Sequence, residues 1–223
     1  MFDTNLADYA LRISIIALPL LVALTFHEAA HGLVAYLLGD PTAKRMGRLT
    51  LNPLKHLDPL GTLIFFIANI GWAKPVPVNP NYFRQPRRDM LLVALAGPGV
   101  NILLALVFAA LFHMVGSLDM PEQGSLAYNV LVPVLLICQT GVFVNLILAI
   151  FNLLPVPPLD GSNILAWLLP PRLAIQYMAL ARYGFFIILG LAVLAHFFNV
   201  SILGSILLPP VEFAADLLGV PLF

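Results

Sequence analysis

Charged side chains and cysteine are both scarce in this 223-residue chain. Ten per cent of its residues are charged, whereas a soluble domain has roughly 25%, and its mean hydropathy is +0.96. The formal net charge is zero, which argues against a nucleic-acid-binding surface. The single cysteine, Cys138, excludes an internal disulfide. The composition therefore predicts an integral membrane protein that binds no nucleic acid.

Long apolar runs predict the membrane-spanning helices. Spanning the hydrocarbon takes roughly 20 mostly apolar residues. The runs that satisfy this requirement are residues 9–38, 90–115, 129–151 and 175–198. Residues 200–218 are a weaker candidate, because Pro209 and Pro210 are expected to break a helix there. Residues 62–70 are too short to cross and are expected to be re-entrant or interfacial.

The distribution of basic residues predicts the orientation. Eight of the eleven Lys and Arg residues lie between Lys44 and Arg88. By the positive-inside rule, residues 39–89 and 155–182 face the cytoplasm. The cytoplasmic half of the first helix and the segment after the third helix are therefore expected to meet on the same side.

Two short runs between the first two spans are predicted to be extended. These are residues 48–51 and 75–78, and alternating prolines keep the second run out of a helix. We expect a small sheet that dips into the membrane, where it lines a polar cavity. The predicted fold is an all-α polytopic membrane protein with five to six transmembrane helices and a small re-entrant β/loop element.

The motif His27-Glu28-Ala29-Ala30-His31 predicts a metal centre at membrane depth. Ionisable side chains are costly there and usually mark a functional site. Two histidines four residues apart lie on one face of a helix and can bind one metal ion together. The glutamate beside the first histidine is placed to take a proton from metal-bound water.

Asp160 is the first choice for a third metal ligand, because a catalytic zinc usually has three protein ligands. It follows an apolar helix in a proline-rich stretch, and irregular backbone at such depth must line a cavity or be buried in protein. His56 and Asp58 are alternative third ligands, and His56 is also a candidate to orient a carboxylate by a hydrogen bond. A divalent cation with ionised Asp160 and Glu28 has no net charge, which lowers the cost of burial.

Two asparagines lie inside apolar runs, Asn101 in AGPGVN (96–101) and Asn145. We expect both to hydrogen bond between packed helices. Gly97 and Gly99 are expected to permit close approach of a neighbouring helix.

Five motifs together resemble the site-2 proteases, the intramembrane zinc metalloproteases, and specifically their compact prokaryotic type. They are HEAAH (27–31), NPLKHLDPLG (52–61), GWAKPVPVNP (71–80), AGPGVN (96–101) and NLLPVPPLDG (152–161). The resemblance spans most of the chain and implies a catalytic core of three helices. Residues 1–223 are expected to form one integral-membrane metalloprotease domain. Its core is expected at about 9–161, its C-terminal helices at about 172–220, and no PDZ or CBS domain is expected.

The resemblance also implies the roles of the site residues. His27, His31 and Asp160 are implied to bind one Zn²⁺ per chain, with Glu28 as general base. Asn152 is implied to contact the substrate or to help polarise the scissile carbonyl. The Gly that often follows the aspartate-glycine pair in this family is Ser162 here, a change that is expected to be tolerated.

The expected partners are a transmembrane protein substrate and the lipid bilayer. A substrate helix must unwind before it is cut, and the edge at Val76 and Val78 is a candidate to hold the extended segment by strand addition. The compact type implies the cell membrane of a prokaryote, and the positive-inside rule predicts an active site open to the cytoplasmic side. A regulatory partner or an oligomer is a further candidate.

Two other functions use the same residues. A metal-dependent transporter would bind the metal without hydrolysis and would have little need for Glu28, although internal repeats, which favour a transporter, are not found in the sequence. A membrane chaperone or adaptor could retain the fold without catalysis.

Overall fold

The described part of the chain is almost entirely helical. The structure, a computed structural model, describes residues 6–68, 71–184, 186, 190 and 202–222. The long helices are α1 (Leu6–Leu37), α4 (Pro86–Gly116) and α5 (Leu126–Leu153). The shorter helices are α2 (Thr42–Arg45), α3 (Pro59–Ala68), α6 (Asp160–Leu168), α7 (Pro171–Met178) and α8 (Ile202–Leu217). The prediction of an all-α protein is confirmed.

Three described helices are long and apolar enough to cross a membrane. Their spans are Ile13–Leu37, Pro86–Gly116 and Leu126–Leu153. They coincide with the first three predicted spans. The later part of the fourth predicted span, 175–198, lies outside the described residues.

Helix α8 corrects one expectation, because it continues through both Pro209 and Pro210. The hydrogen bonds lost at the prolines are offset by packing. Val211 and Ala215 of α8 are fully buried against α4 and α5. Apolar burial of this kind contributes about 1.5–3 kcal/mol for a valine side chain.

The segment between α1 and α4 differs from the predicted sheet. Residues 49–51 are bends, residues 48 and 75–78 belong to no helix or strand, and one isolated antiparallel bridge is formed elsewhere in the described region. Val76 and Asn79 donate their N–H groups to side-chain carboxylates instead of a neighbouring strand. Helix α3, with ten residues, is about 15 Å long and does not span the hydrocarbon.

Helices α1, α4 and α5 pack against one another and form the core of the protein. Two glycines mark close contacts between them. A Cβ at Gly97 of α4 would lie 2.5 Å from His27 of α1, and one at Gly141 of α5 would lie 2.5 Å from the Phe108 ring of α4. Helix α6 packs against α4 beside this bundle. The bundle therefore brings α1, α4 and α6 together at one point.

Candidate metal centre

His27, His31 and Asp160 lie together where α1 meets α6. The Nε2 atoms of the two histidines are 3.0 Å apart. Asp160 Oδ2 lies 3.3 Å from each of them. Both imidazoles are buried, with 6% and 8% of each residue exposed.

Local structure places each of these side chains. The histidines share one face of α1 because they are separated by four residues. Asp160 is the first residue of α6, which begins after the proline-rich loop 155–159. A Cβ on Gly161 would lie 2.2 Å from the Leu153 carbonyl oxygen, so the first turn of α6 lies directly on the end of α5. Ser162 is fully buried and its hydroxyl donates to the Leu159 carbonyl.

A chain of buried amides orients His27. Asn101 donates its Nδ2 to the Ala23 carbonyl at 3.2 Å and to Asn145 Oδ1 at 2.9 Å. Asn145 in turn donates its Nδ2 to the Gly141 carbonyl. Because both donor positions of Asn101 are used on acceptors, its Oδ1 faces His27. His27 Nδ1 lies 2.6 Å from that oxygen and is therefore the donor.

The second histidine is oriented in the same way. His31 Nδ1 lies 2.7 Å from the Val93 carbonyl oxygen and donates to it. In the neutral imidazoles that bind metals, both Nε2 atoms then carry lone pairs that face each other. A tetrahedral zinc with bonds of about 2.0–2.1 Å holds its ligand atoms about 3.3 Å apart, and the three distances here match that spacing. The donor set therefore fits Zn²⁺.

The Asp160 carboxylate has the properties of a metal ligand. Its Oδ2 is buried and has no hydrogen-bond partner among the described residues. Burial raises the pKa of this carboxyl, but His27 and His31 in their protonated forms outweigh burial and hold the pKa below its usual range. The carboxylate is therefore ionised at neutral pH, as a metal ligand must be.

Glu28 is held by the segment 75–79, which we call the proline strap. Its carboxylate Oε2 accepts a hydrogen bond from the Val76 N–H at 2.7 Å. Asp40, fully buried after α1, accepts the Asn79 N–H at 2.6 Å and also binds Thr42. Two carboxylates of the α1 region thus hold the strap, and the strap fixes the orientation of Glu28.

The other predicted site residues lie elsewhere. His56 is buried and donates its Nε2 to the Thr50 carbonyl at 2.8 Å, while Asp58 accepts the Gly61 N–H in the first turn of α3. Neither belongs to the group of His, Cys, Asp and Glu residues that the described structure brings within metal-binding distance. Asn152 donates to the Leu148 carbonyl of its own helix. Val78 packs beside the buried cluster around Val93.

The sequence predicted that Asn101 forms hydrogen bonds between helices, but it did not predict His27 as a partner. Asn101 follows Gly97 by four residues on α4, so both face α1. This spacing of four residues could have indicated that Asn101 contacts α1. The pattern also suggested close approach at Gly99, but a Cβ there would have no neighbour within 4 Å.

We predict that Asn101→Ala weakens zinc binding about 10- to 100-fold, the usual effect of removing a group that orients a metal ligand. The change leaves the His27 Nδ1–H and Asn145 Oδ1 without a buried partner. Zinc affinity is measured by competition with a chromogenic chelator. Thr140→Ala is the control, because Thr140 is buried in α5 and its hydroxyl has no described hydrogen-bond partner. Equal zinc affinity in both variants would refute this role of Asn101.

Comparison with known proteins supports a zinc site in this chain. A model described as Peptidase family M50 matches residues 15–135 and 114–191. The chain is 42% identical over 181 residues to Putative zinc metalloprotease YwhC of Bacillus subtilis (strain 168), covering 80% of each chain. It is 28% identical over 182 residues to Putative zinc metalloprotease Rip2 of Mycolicibacterium smegmatis, covering 78% of this chain and 64% of that one. It is 40% identical over 75 residues to Putative zinc metalloprotease MJ0611 of Methanocaldococcus jannaschii, covering 34% and 32%.

No solved structure matches the chain. The family match includes the segments that contain His27, His31 and Asp160. The relatives identify the expected metal as Zn²⁺, which confirms the cofactor prediction, and the apolar helices show a multi-pass membrane protein. The chain belongs to peptidase family M50, the site-2 protease family of zinc metalloproteases.

Proposed function

We propose that this zinc metalloprotease cuts membrane proteins within or beside their transmembrane segments, with Glu28 as the general base. The observation that carries the proposal is the location of the site. His27, Glu28 and His31 are buried in a membrane-spanning helix that packs against two others. A protease with its metal ligands there is suited to substrates that lie in the membrane.

The residues of the site have separable roles in this proposal. His27, His31 and Asp160 would hold the zinc. When bound, zinc supplies Lewis acidity, which lowers the pKa of water and polarises a peptide carbonyl. Glu28 accepts the proton of the attacking water and passes it to the leaving nitrogen. The Val76 N–H occupies Oε2 of Glu28, so Oε1 is the atom we assign to proton transfer.

The proline strap is the proposed contact for the unwound substrate. The Val76 N–H is already bonded to Glu28, so strand addition at this position depends on the carbonyl groups of the strap and on Val78. Asn152, at the end of α5 and eight residues before Asp160, is proposed to contact the substrate or the scissile carbonyl. His56 is proposed to support the loop before α3.

The membrane orientation is a further part of the proposal. Basic residues are concentrated between α1 and α4 and after α5, which favours a cytoplasmic opening of the site by the positive-inside rule. We propose the cell membrane of a prokaryote as the location. We propose that a regulatory partner or an oligomer controls the cutting.

Mapping the cut in a transmembrane test substrate tests this proposal. The substrate is a single apolar helix between two soluble tags, incubated with the zinc-loaded protein in detergent micelles. We expect mass spectrometry to locate the cut in or beside the apolar helix. A Gly-Pro pair near the cut should speed cleavage relative to Ala-Leu, because the helix must unwind first. Cuts confined to the tags, or zinc binding without cleavage across several substrates, would reject the proposal.

A further inference from the structure

A cleft at the start of α4, beside Arg87, lies outside the metal centre. It has a volume of about 320 Å³ and is formed by α4, α6 and α7. Its walls are mainly apolar and include Met90, Ala166, Ala174 and Ile175. A second cavity of about 520 Å³ shares Pro86, Arg87 and Trp167 with the first and adds Arg88. An apolar cleft is therefore continuous with a basic one.

The cleft lies at the level of the membrane interface. Helix α4 starts at Pro86 and spans the membrane from there. Trp167 is 44% exposed and Ile175 is 73% exposed. Tryptophan and arginine are typical of the boundary between hydrocarbon and headgroups. A molecule that fills both cavities has one apolar part and one polar part.

The basic cavity lacks an internal counter-charge. Arg87 donates to the carbonyl oxygens of Ala166, Trp167 and Leu169 at 2.6–3.1 Å, which fixes it at the end of α6. In the described part of the chain, Arg87 and Arg88 form no ion pair, since the ion pairs there involve Asp160 alone. The nearest acid in sequence, Asp89, is buried and accepts the Gln85 N–H.

We infer that this cleft binds a phospholipid with a net negative headgroup. Arg88 attracts the phosphate, Arg87 stays bonded to the carbonyl groups at the end of α6, and one acyl chain lies along Met90, Ala166 and Ala174. Charge complementarity favours an anionic over a zwitterionic headgroup, because each basic residue near an anionic surface contributes to binding. The apolar cleft favours a lipid over free phosphate. This inference is independent of the proteolytic reaction.

Fluorescence of Trp167 tests the inference directly. The chain has two tryptophans, so Trp72→Phe leaves Trp167 as the only reporter. The protein is placed in phosphatidylcholine vesicles that contain a small fraction of lipid brominated on its chains. We expect brominated phosphatidylglycerol to associate with Trp167 about fivefold more strongly than brominated phosphatidylcholine, the factor expected for one basic residue.

Two variants and their control define the site. Arg88→Gln should abolish the preference for phosphatidylglycerol, and Ala166→Leu should reduce quenching by both lipids because it fills the cleft. Arg45→Gln removes an exposed arginine of α2 and should leave the preference unchanged. Equal quenching by both lipids, or a preference that survives Arg88→Gln, would overturn the inference. Displacement of the lipid by an acidic peptide or by inorganic phosphate would also overturn it and identify that ligand instead.

Discussion

Glu28→Gln is expected to retain zinc and to lose proteolysis by about 10²- to 10⁴-fold, the usual contribution of a general base. Glutamine has nearly the same volume as glutamate, and its side-chain oxygen can still accept the Val76 N–H that now bonds Oε2. The strap should therefore keep its position. The amide cannot accept the proton of the attacking water, so only that function is removed. Zinc content and initial cleavage rate are measured on the same preparation.

Two companion variants separate loss of the base from loss of the metal. Asp160→Asn should lose both zinc and activity, because it removes the charge of the carboxylate that lies 3.3 Å from both histidines. Glu212→Gln, on the exposed face of α8, should change neither. If Glu28→Gln cuts as fast as the wild type, Glu28 is not the base. If Asp160→Asn keeps its zinc, His56 or Asp58 again becomes a candidate ligand.

Gly97→Ala is expected to weaken zinc binding by about 100-fold. The added Cβ would lie 2.5 Å from His27 Cε1 and 2.5 Å from His31 Nε2. Neither imidazole can move away from the added Cβ, because Asn101 and the Val93 carbonyl hold their Nδ1 atoms. Helices α1 and α4 must separate by about 1 Å to restore normal contacts of about 3.5–4.0 Å. We also expect a loss of about 1–3 kcal/mol in unfolding free energy from overpacking.

Gly99→Ala is the matched control on the same helix. A Cβ at Gly99 meets no atom within 4 Å, so the change should leave zinc affinity and cleavage intact. Alanine has the higher helix propensity, so stability should rise by up to about 1 kcal/mol. Zinc affinity is measured by chelator competition and stability by denaturation in detergent. Equal effects of the two variants would show that the contact of Gly97 with the histidines does not limit the site.

Local spacing allowed much of the metal centre to be predicted. His27 and His31 are neighbours on any helix that contains both, whatever that helix packs against. The three long apolar runs likewise became spans because lipid leaves the backbone no partner except its own helix. By contrast, the predicted sheet at 48–51 and 75–78 depended on hydrogen bonds between segments, and the N–H groups of Val76 and the adjoining Asn79 bond to Glu28 and Asp40 instead.

Pro209 and Pro210 are a second case in which the local sequence did not predict the structure. Their local preference is to interrupt a helix, and the sequence carries no sign that α8 continues through them. Burial of Val211 and Ala215 against α4 and α5 outweighs that preference. Tertiary packing therefore decided the local conformation.

The sequence by itself determined that the chain is a helical membrane protein with two histidines and a glutamate on one helix. These properties depend on composition and on contacts within a few residues. Only the tertiary structure decided that Asp160, rather than His56 or Asp58, lies beside the histidines, and that Asn101 orients His27. Those contacts join residues far apart in the chain. They depend on how α1, α4 and α6 pack, which the local pattern of side chains does not specify.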